Sequence, residues 1–412
     1  MIEFQKCTLE NGLRLIVNED KSTPLVVVNT LYNVGSKYED PDKTGFAHLF
    51  EHLMFGGSKN IADFDKEIQL VGGDNNAFTN NDVTNFYISL PANNIETALW
   101  LESDRMLQLD FSQKKLDIEK NVVIEEYKEN YLNQPYGDVW LNLRPLAYGN
   151  HPYSWPTIGK DISHIQNANI EDVKDFFYKY YAPDNAILSI SGNVNFENVK
   201  KIVEKWYSDI KASNYKKKLI YEAPKLTKPK FLELKREVPY DAIYKVYQMG
   251  KKTNPDFFAV DLLSDVLSNG RSSRLFQKLM IKNPLFASID AYLSGDIDGG
   301  LFIVSGRLSE GVKIKDAEKH ILEEIEIIKN ELVSDYELEK VKNKVESTNV
   351  FGEISIMNKS FSLAMHELVT DAEDFNNEIL EYRKVTKEDI KRVANDILSE
   401  NNCATLYYFA KK

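Results

Sequence analysis

Residues Ala47–Phe55 read AHLFEHLMF, with His48, Glu51 and His52 at positions i, i+3 and i+4 and with leucines and Phe50 among the positions between. On an α-helix those three polar side chains share one face. The flanking residues are apolar enough to bury such a helix, so the polar triplet is carried on a packed element and not a freely solvated one. Two imidazoles one turn apart can each bring a nitrogen to about 2 Å from a single Zn2+, and a glutamate between them can approach a water at that ion. The chain holds six histidines in all, so two of them at ligand spacing argue against chance.

Outward from this helix, the sequence describes a sheet on either side. Residues alternate around Asn11-Gly12, the dipeptide that best favours a tight hairpin, and continue into an apolar run from Pro24 to Val34. After the helix come strand-like Asn76–Thr79 and Val83–Leu90, then helical patterns through much of Ile95–Tyr131. A helix near Ile170–Tyr181, a strand at Ala186–Ser191 and a helix ending near Trp206 follow. Strands and helices mix without a strict βαβ rhythm, which predicts α+β sheets covered by helices.

A chain of 412 residues exceeds what one core usually organises, so two domains are expected. Between Ser208 and Pro229 the sequence turns lysine- and proline-rich, with Lys216, Lys217 and Lys218 in a row, and its apolar periodicity stops. We therefore expect an N-terminal domain over 1–210, a linker over 211–229 and a C-terminal domain over 230–412. The opening pattern recurs after the linker. LVVVNTLYNVG at Leu25–Gly35 is echoed by DAIYKVYQMG at Asp241–Gly250, and HLFEHLMFGG from His48 by DLLSDVLSNG from Asp261. Aligning the closing glycines, Gly57 and Gly270, offsets the copies by about half the chain, which points to a duplicated domain. The second copy has Asp261, Ser264 and Asp265 where the first has His48, Glu51 and His52, so only the first could carry a conventional zinc site.

Composition narrows the function. With 43% hydrophobic and 28% charged residues, 22 Tyr and 21 Phe, the chain is that of a globular, enzyme-like protein. A net charge of −12 argues against nucleic acid or an anionic membrane as a partner, because both require phosphate or headgroup charge to be neutralised. Cys7 and Cys403 are too few for a disulfide framework and have no metal-ligand spacing. The first twenty residues lack the basic start, apolar run and small-residue cleavage site of a secretory signal, and no stretch of 18 apolar residues occurs, so a cytoplasmic location is expected.

A third protein ligand should come from another element, leaving a fourth position for water. The acidic stretch IEKNVVIEEYKEN at Ile118–Asn130 offers Glu119, Glu125, Glu126 and Glu129. Glu119 and Glu126 lie two helical turns apart on one face, with Val122 and Val123 between them expected to hold the helix in a core. One of the pair can ligate while the other stands behind as an acceptor. Spacing alone does not choose among the four.

HxxEH is the inverse of the commoner HExxH zinc motif. Together with the glutamates seven residues apart it resembles the M16 family of zinc peptidases, the inverzincins. Further resemblances are NAFT at Asn76–Thr79, HPYSWPTIG from His151, YYAPDNAILSISGNV from Tyr180 and LLSDVLSNGRSSRLFQKL from Leu262. The resemblance implies that Glu126 completes the zinc ligands with His48 and His52, that Glu119 supports them, and that Glu51 is the catalytic base. It implies one Zn2+ per chain and two homologous α+β domains, each a mainly antiparallel sheet covered by helices. It also implies that Asn76, Ala77, Phe78 and Thr79 form an edge strand pairing with an extended peptide substrate, inside a chamber completed by a second subunit.

In one respect the sequence departs from this pattern. The family's second domain commonly carries an arginine and, seven residues on, a tyrosine that bind substrate and help stabilise the reacting carbonyl. The corresponding stretch here, LFQKLMIKNPLFA at Leu275–Ala287, has Met280 and Ala287 at those positions. Loss of one such donor typically costs about 10² to 10³ in rate. The preferred explanation is a heterodimer whose other subunit lacks HxxEH and supplies the arginine and tyrosine. The other is a homodimer drawing donors from elsewhere, for example Arg271, Arg274 or Tyr292. Outside catalysis, the rival readings are a scaffold subunit of a larger assembly and a zinc-dependent module that captures peptides without cutting them.

Overall fold

The Asn11-Gly12 turn opens the first sheet as expected, with Gly12 at a φ of +89° joining two antiparallel strands, β1 (Gln5–Thr8) and β2 (Arg14–Glu19). The computed structural model describes residues 1–217 and 225–411, so residues 218–224 of the expected linker, Lys218 among them, lie outside the described residues. With β3 (Leu25–Tyr32), β4 (Asp74–Thr79), β5 (Thr84–Pro91) and β6 (Ala186–Gly192), these strands form a six-stranded sheet in the order β1-β2-β6-β3-β5-β4. A second sheet is built from β7 (Lys230–Arg236), β8 (Ala242–Gln248), β9 (Phe286–Leu293), β10 (Leu301–Leu308) and β11 (Cys403–Ala410), in the order β7-β11-β8-β10-β9.

Apart from β1, the two sheets follow the same path. Each begins with a parallel pair, β2 with β6 and β7 with β11, and continues through antiparallel neighbours to an edge strand, β4 or β9. The duplication seen in short sequence echoes is thus carried by the whole strand order. Gly57 and Gly270, the aligned glycines, both take left-handed backbone with φ of +99° and +87°, a conformation glycine adopts without strain.

The helices of the first half are α1 (Phe46–Phe55), α2 (Phe64–Leu70), α3 (Ile95–Leu107), α4 (Gln113–Tyr127), α5 (Val139–Tyr148), α6 (Ile162–Gln166), α7 (Ile170–Tyr180) and α8 (Phe196–Tyr207). Those of the second are α9 (Phe257–Ser268), α10 (Ile314–Asn330), α11 (Asp335–Gly352), α12 (Ile356–Val369), α13 (Glu378–Lys384) and α14 (Lys387–Ile397). Among the described residues no helix is long and apolar enough to cross a membrane.

The expected division at 211–229 follows sequence order, but the packing does not. One compact unit comprises Met1–Glu129, the stretch from Trp155 to the linker, and Val350–Asn376; the other comprises Asn130–Ser154, the stretch from the linker to Asn349, and the chain from Asn377 on. The difference has a physical cause: both faces of each sheet are apolar, and each sheet takes one covering helix from the other half of the chain. Leu363 and Ala364 of α12 pack on Ile16, Leu31 and Ile187 of the first sheet, and the Ser360 hydroxyl donates to the Ser189 carbonyl at 2.6 Å. Val139, Leu143 and Ala147 of α5 pack on Val246, Ile303 and Leu406 of the second. An amphipathic pattern shows that a helix has an apolar face, not which sheet it covers.

Lys359 of α12 also bonds Asp20, at the end of β2, at 2.6 Å. The lysine, with bonds from Ser22, holds the Asp20 carboxyl down at about 2, from an ordinary value of 3.8. A depressed carboxylate stabilises the fold above its unfolded pKa and loses that contribution as pH falls through the folded one. Lys359 and Ser22 together should therefore contribute about 1 kcal/mol after solvent screening, lost as pH falls from about 4 to about 2. Lys359→Met is expected to lower stability at pH 7 and to flatten this part of the acid limb, read by urea unfolding across pH.

Deeper in the first unit, Arg105 of α3 is 1% exposed and paired with Glu102, which is 0% exposed. Its guanidinium lies 4.5 Å from the ring centre of Phe64 and 4.3 Å from that of Phe86. A charge this deep in an apolar core is tolerated only when paired.

Candidate metal centre

The N-terminus of α1 is held by a residue far from the motif. Gly45 precedes the helix with a φ of +93°, and a side chain there would meet the Ile158 carbonyl at 2.7 Å. The buried Glu39 carboxylate accepts from the Gly45 and Ala47 N–H groups, at 2.9 and 2.8 Å, and from the Trp155 indole at 3.1 Å. Burial pushes this carboxyl up to about 8, against the pull of those donors. All of these partners donate, so they serve the ionised form, and a negative charge suits a helix N-terminus. On the apolar side of α1, Phe50 stacks on Phe176 and Tyr181, with centroids 5.2 and 5.0 Å apart. The polar face is thereby aimed at α4.

Helix α4 is anchored by Leu116, Val123, Ile124 and Tyr127. Val122, which was expected to share that role, is 40% exposed; the buried face runs through Leu116, Val123, Ile124 and Tyr127, and Val122 projects about 100° away from Val123, on the side opposite Ile124. The glutamates then meet the histidines. Nε2 of His48 lies 3.6 Å from Glu126 Oε2, and Nε2 of His52 lies 3.4 Å from the same oxygen. The other nitrogen of His52, Nδ1, faces Glu119 Oε2 at 3.7 Å. The two imidazole rings are 4.9 Å apart and nearly perpendicular. Of the four glutamates open to choice, Glu126 is thus the one brought to both imidazoles and Glu119 stands behind one of them.

Tetrahedral ligands about 2 Å from Zn2+ stand about 3.3 Å from each other, close to the separations seen here. Ligand atoms of His48, His52 and Glu126 all lie within 4.8 Å of one another, the one such group found among the described residues. Burial and the neighbouring His52 lower the His48 pKa to about 4, which keeps its imidazole neutral and its lone pair available at neutral pH. Its Nδ1 is buried without a hydrogen-bond partner, so Nε2 is the nitrogen offered to the cluster. Two imidazoles and a carboxylate are a donor set that fits Zn2+.

Glu51 lies on the same helix face. Burial raises its carboxyl pKa and Glu126 adds to the rise, while the Thr79 hydroxyl and N–H and the charge of His52 pull it down. Thr79 ends β4, the edge strand of the first sheet. Within that strand, Asn76 is exposed and its side chain accepts from the Ala77 N–H at 2.8 Å, Ala77 is half-buried, and Phe78 packs edge-on against Phe361 of α12 at 5.3 Å. Sequence reasoning missed the place of Thr79 beside Glu51 and the cap by Glu39 and Trp155. Trp155 sits in HPYSWPTIG, quoted above without a role, and a tryptophan donor in that motif was the one available signal.

In the second unit α9 takes the place of α1. Asp261 accepts from the Tyr382 hydroxyl at 2.6 Å, and the Ser264 hydroxyl turns back to the Asp261 carbonyl at 2.8 Å. The polar residues at the motif positions of α9 are used for internal bonding.

Removing the support behind His52 should be measurable. Glu119→Gln is expected to weaken zinc binding about 10- to 100-fold without unfolding the chain, as read by competition with a chromogenic chelator. Unchanged affinity would show that Glu119 only lines the surface.

Two matched sheets covered by helices, with this cluster on one side only, define the build of a zinc peptidase chain. The chain belongs to the M16 peptidase family: residues 14–161 match the model described as Insulinase (Peptidase family M16), and residues 167–345 match the Peptidase M16 inactive domain. It is 28% identical to the zinc protease PqqE of Helicobacter pylori over 98% of this chain and 92% of that protein. It is 26% identical to the uncharacterized zinc protease YmxG of Bacillus subtilis over 98% of each. The crystal structure of a protease from Helicobacter pylori superimposes with a TM-score of 0.94 at 27% identity, covering 99% of this chain and 100% of that one.

Proposed function

We propose that this chain is a zinc-dependent endopeptidase that cleaves short unstructured peptides, with His48, His52 and Glu126 holding one Zn2+ and Glu51 as the base. The observation that carries the reading is the convergence of three ligand atoms, with the half-buried Glu51 on the same helix face as the two histidines. A Zn2+ held there would polarise the scissile carbonyl and acidify a water. Glu51 removes the proton from the attacking water and later delivers it to the leaving amine. Asn76–Thr79 aligns the substrate through the open edge of β4, where backbone hydrogen bonds bind an extended peptide with little regard for its side chains.

The chain works, on this reading, as the HxxEH member of a dimer. At the positions of the missing donors, Met280 packs against the second core and Ala287 is the residue left unpaired at the register shift of β9 opposite Arg307 and Leu308. Neither can hydrogen-bond a reacting carbonyl, which favours a partner that lacks HxxEH and supplies an arginine and a tyrosine. Arg274, one of the substitutes considered for a homodimer, is committed to Glu337 through two bonds at 2.8 and 3.1 Å. A non-catalytic scaffold or peptide-capturing subunit is the alternative, and it would leave Glu51 without a task.

The test is hydrolysis of a mixed library of unstructured peptides by zinc-loaded protein, alone and with an M16-like subunit carrying the arginine and tyrosine. Activity only in the mixture supports the split site. Activity of the chain alone removes the need for a partner, and zinc binding with no turnover in either case would leave only peptide capture.

A further inference from the structure

The second sheet has one face that α5 covers only in part. Register places Leu301, Ile303, Ser305 and Arg307 of β10 on that face, level with Ala242, Tyr244 and Val246 of β8 and with Ser288, Asp290 and Tyr292 of β9. Helix α5 packs over Leu301, Ile303 and Val246. Toward the edge strand the face is open: Arg307 and Asp290 are exposed, and Tyr292 is 39% exposed.

Two arginines border this opening. Arg307 lies over the Tyr136 ring, 4.7 Å from its centre. Arg144 of α5 is half-buried 5.8 Å from the Trp140 ring centre and donates one N–H to the Tyr153 carbonyl at 3.2 Å, while its Nε is buried with no hydrogen-bond partner. Register sets Tyr244, Tyr292 and Arg307 on this one face, which α5, the helix that carries Arg144, partly covers, and the charge of Arg144 acts on the Tyr292 phenol and that of Arg307 on Tyr244. Neither arginine forms an ion pair among the described residues, whereas Arg236, Arg274, Arg383 and Arg392 of the same unit all do. In a chain of net charge −12, acidic side chains to pair with are plentiful, and a buried guanidinium donor left unmatched is costly.

We propose that this face is a second binding site, which takes acidic side chains of an extended peptide on Arg144 and Arg307, with Tyr292 stacking between them. Guanidinium groups bind carboxylates through paired, charge-assisted bonds. Asp290 on the same face disfavours a compact polyanion such as inorganic phosphate. An extended chain instead presents single carboxylates on alternate residues, roughly 7 Å apart, and can pass Asp290 with a neutral position. The site rests on the peptidase reading for the nature of its ligand, and it would give a backbone-reading enzyme a preference for acidic peptides.

The experiment is fluorescence anisotropy on zinc-loaded Glu51→Gln protein, which removes turnover, with a short labelled peptide carrying two glutamates one residue apart. Its glutamine counterpart is the comparison, both with amidated ends, and a third probe is the glutamine peptide with a free C-terminus. The glutamate peptide is expected to bind about tenfold tighter at low salt. Arg307→Gln and Arg144→Gln should each remove most of that preference, and Arg144→Lys should keep part of it, with thermal unfolding unchanged. Equal binding of the glutamate and glutamine peptides, or a preference surviving in the double glutamine variant, would overturn the proposal. A preference only for the free C-terminus would overturn its assignment to side chains. Glutamate-dependent binding in a chain that never cleaves peptides would sink the peptidase reading and leave this site standing.

Discussion

Glu51→Gln is expected to reduce peptide hydrolysis by about 10² to 10⁴-fold, the usual worth of a positioned general base, while zinc remains at one per chain. The separation of the two effects follows from the geometry. His48, His52 and Glu126 converge without Glu51, whose carboxylate is half-buried beside them and close to Thr79. Glutamine keeps the volume, so the helix and the ligands are left in place. What it cannot do is accept a proton. Turnover of a quenched peptide in the active assembly, with metal content measured on the same sample, gives both readouts. Full activity in the variant would remove Glu51 from the mechanism, and loss of zinc would make it a ligand.

The largest stability effect is expected away from the metal. Arg105→Met should destabilise the chain by about 3–5 kcal/mol, because it leaves the Glu102 carboxylate buried without its cation. It also withdraws the guanidinium that lies against Phe64 of α2 and Phe86 of β5. Methionine fills much of the same volume, so the loss measures the charge more than a cavity. The double variant Arg105→Met with Glu102→Met should recover a large part of the stability, since an apolar pair of similar size costs little where an ion pair has been removed whole. Urea unfolding of the two single variants and the double closes the cycle. A double variant as unstable as the sum of the singles would show that packing, not the unpaired charge, sets the cost.

Much of this was legible from local sequence. Asn11-Gly12 marks its own hairpin, and the polar triplet of α1 announces both a helix and its metal-facing side, because helical spacing alone brings His48, Glu51 and His52 together. The two-turn spacing of Glu119 and Glu126 likewise survives in the structure, one carboxylate at the cluster and the other behind it. What was not legible depends on contacts between distant segments. Glu39 caps α1 through a loop, Thr79 approaches Glu51 from a neighbouring strand, and Arg144 and Arg307 belong to a helix and a strand far apart in the chain that meet on one sheet face. Val122 shows a finer limit, since an apolar residue beside a helix's buried face does not reveal from sequence on which side of it the core ends. The exchange of α5 and α12 was hidden for the same reason: each has an ordinary amphipathic pattern that would serve either sheet.

That exchange constrains how the protein is made and how its gene can be rearranged. While the chain is being synthesised, the first sheet is complete once β6 has emerged, yet the helix that covers Ile16, Leu31 and Ile187 follows roughly 160 residues later. At 5–20 residues per second that is an interval of roughly 10 to 30 s, during which an apolar sheet face waits uncovered and available to chaperones. For the same reason the halves are not interchangeable cassettes. A recombination joint in the linker would replace, along with one half, the helix on which the other half's sheet depends, so the two copies of the ancestral domain are bound to evolve as a pair.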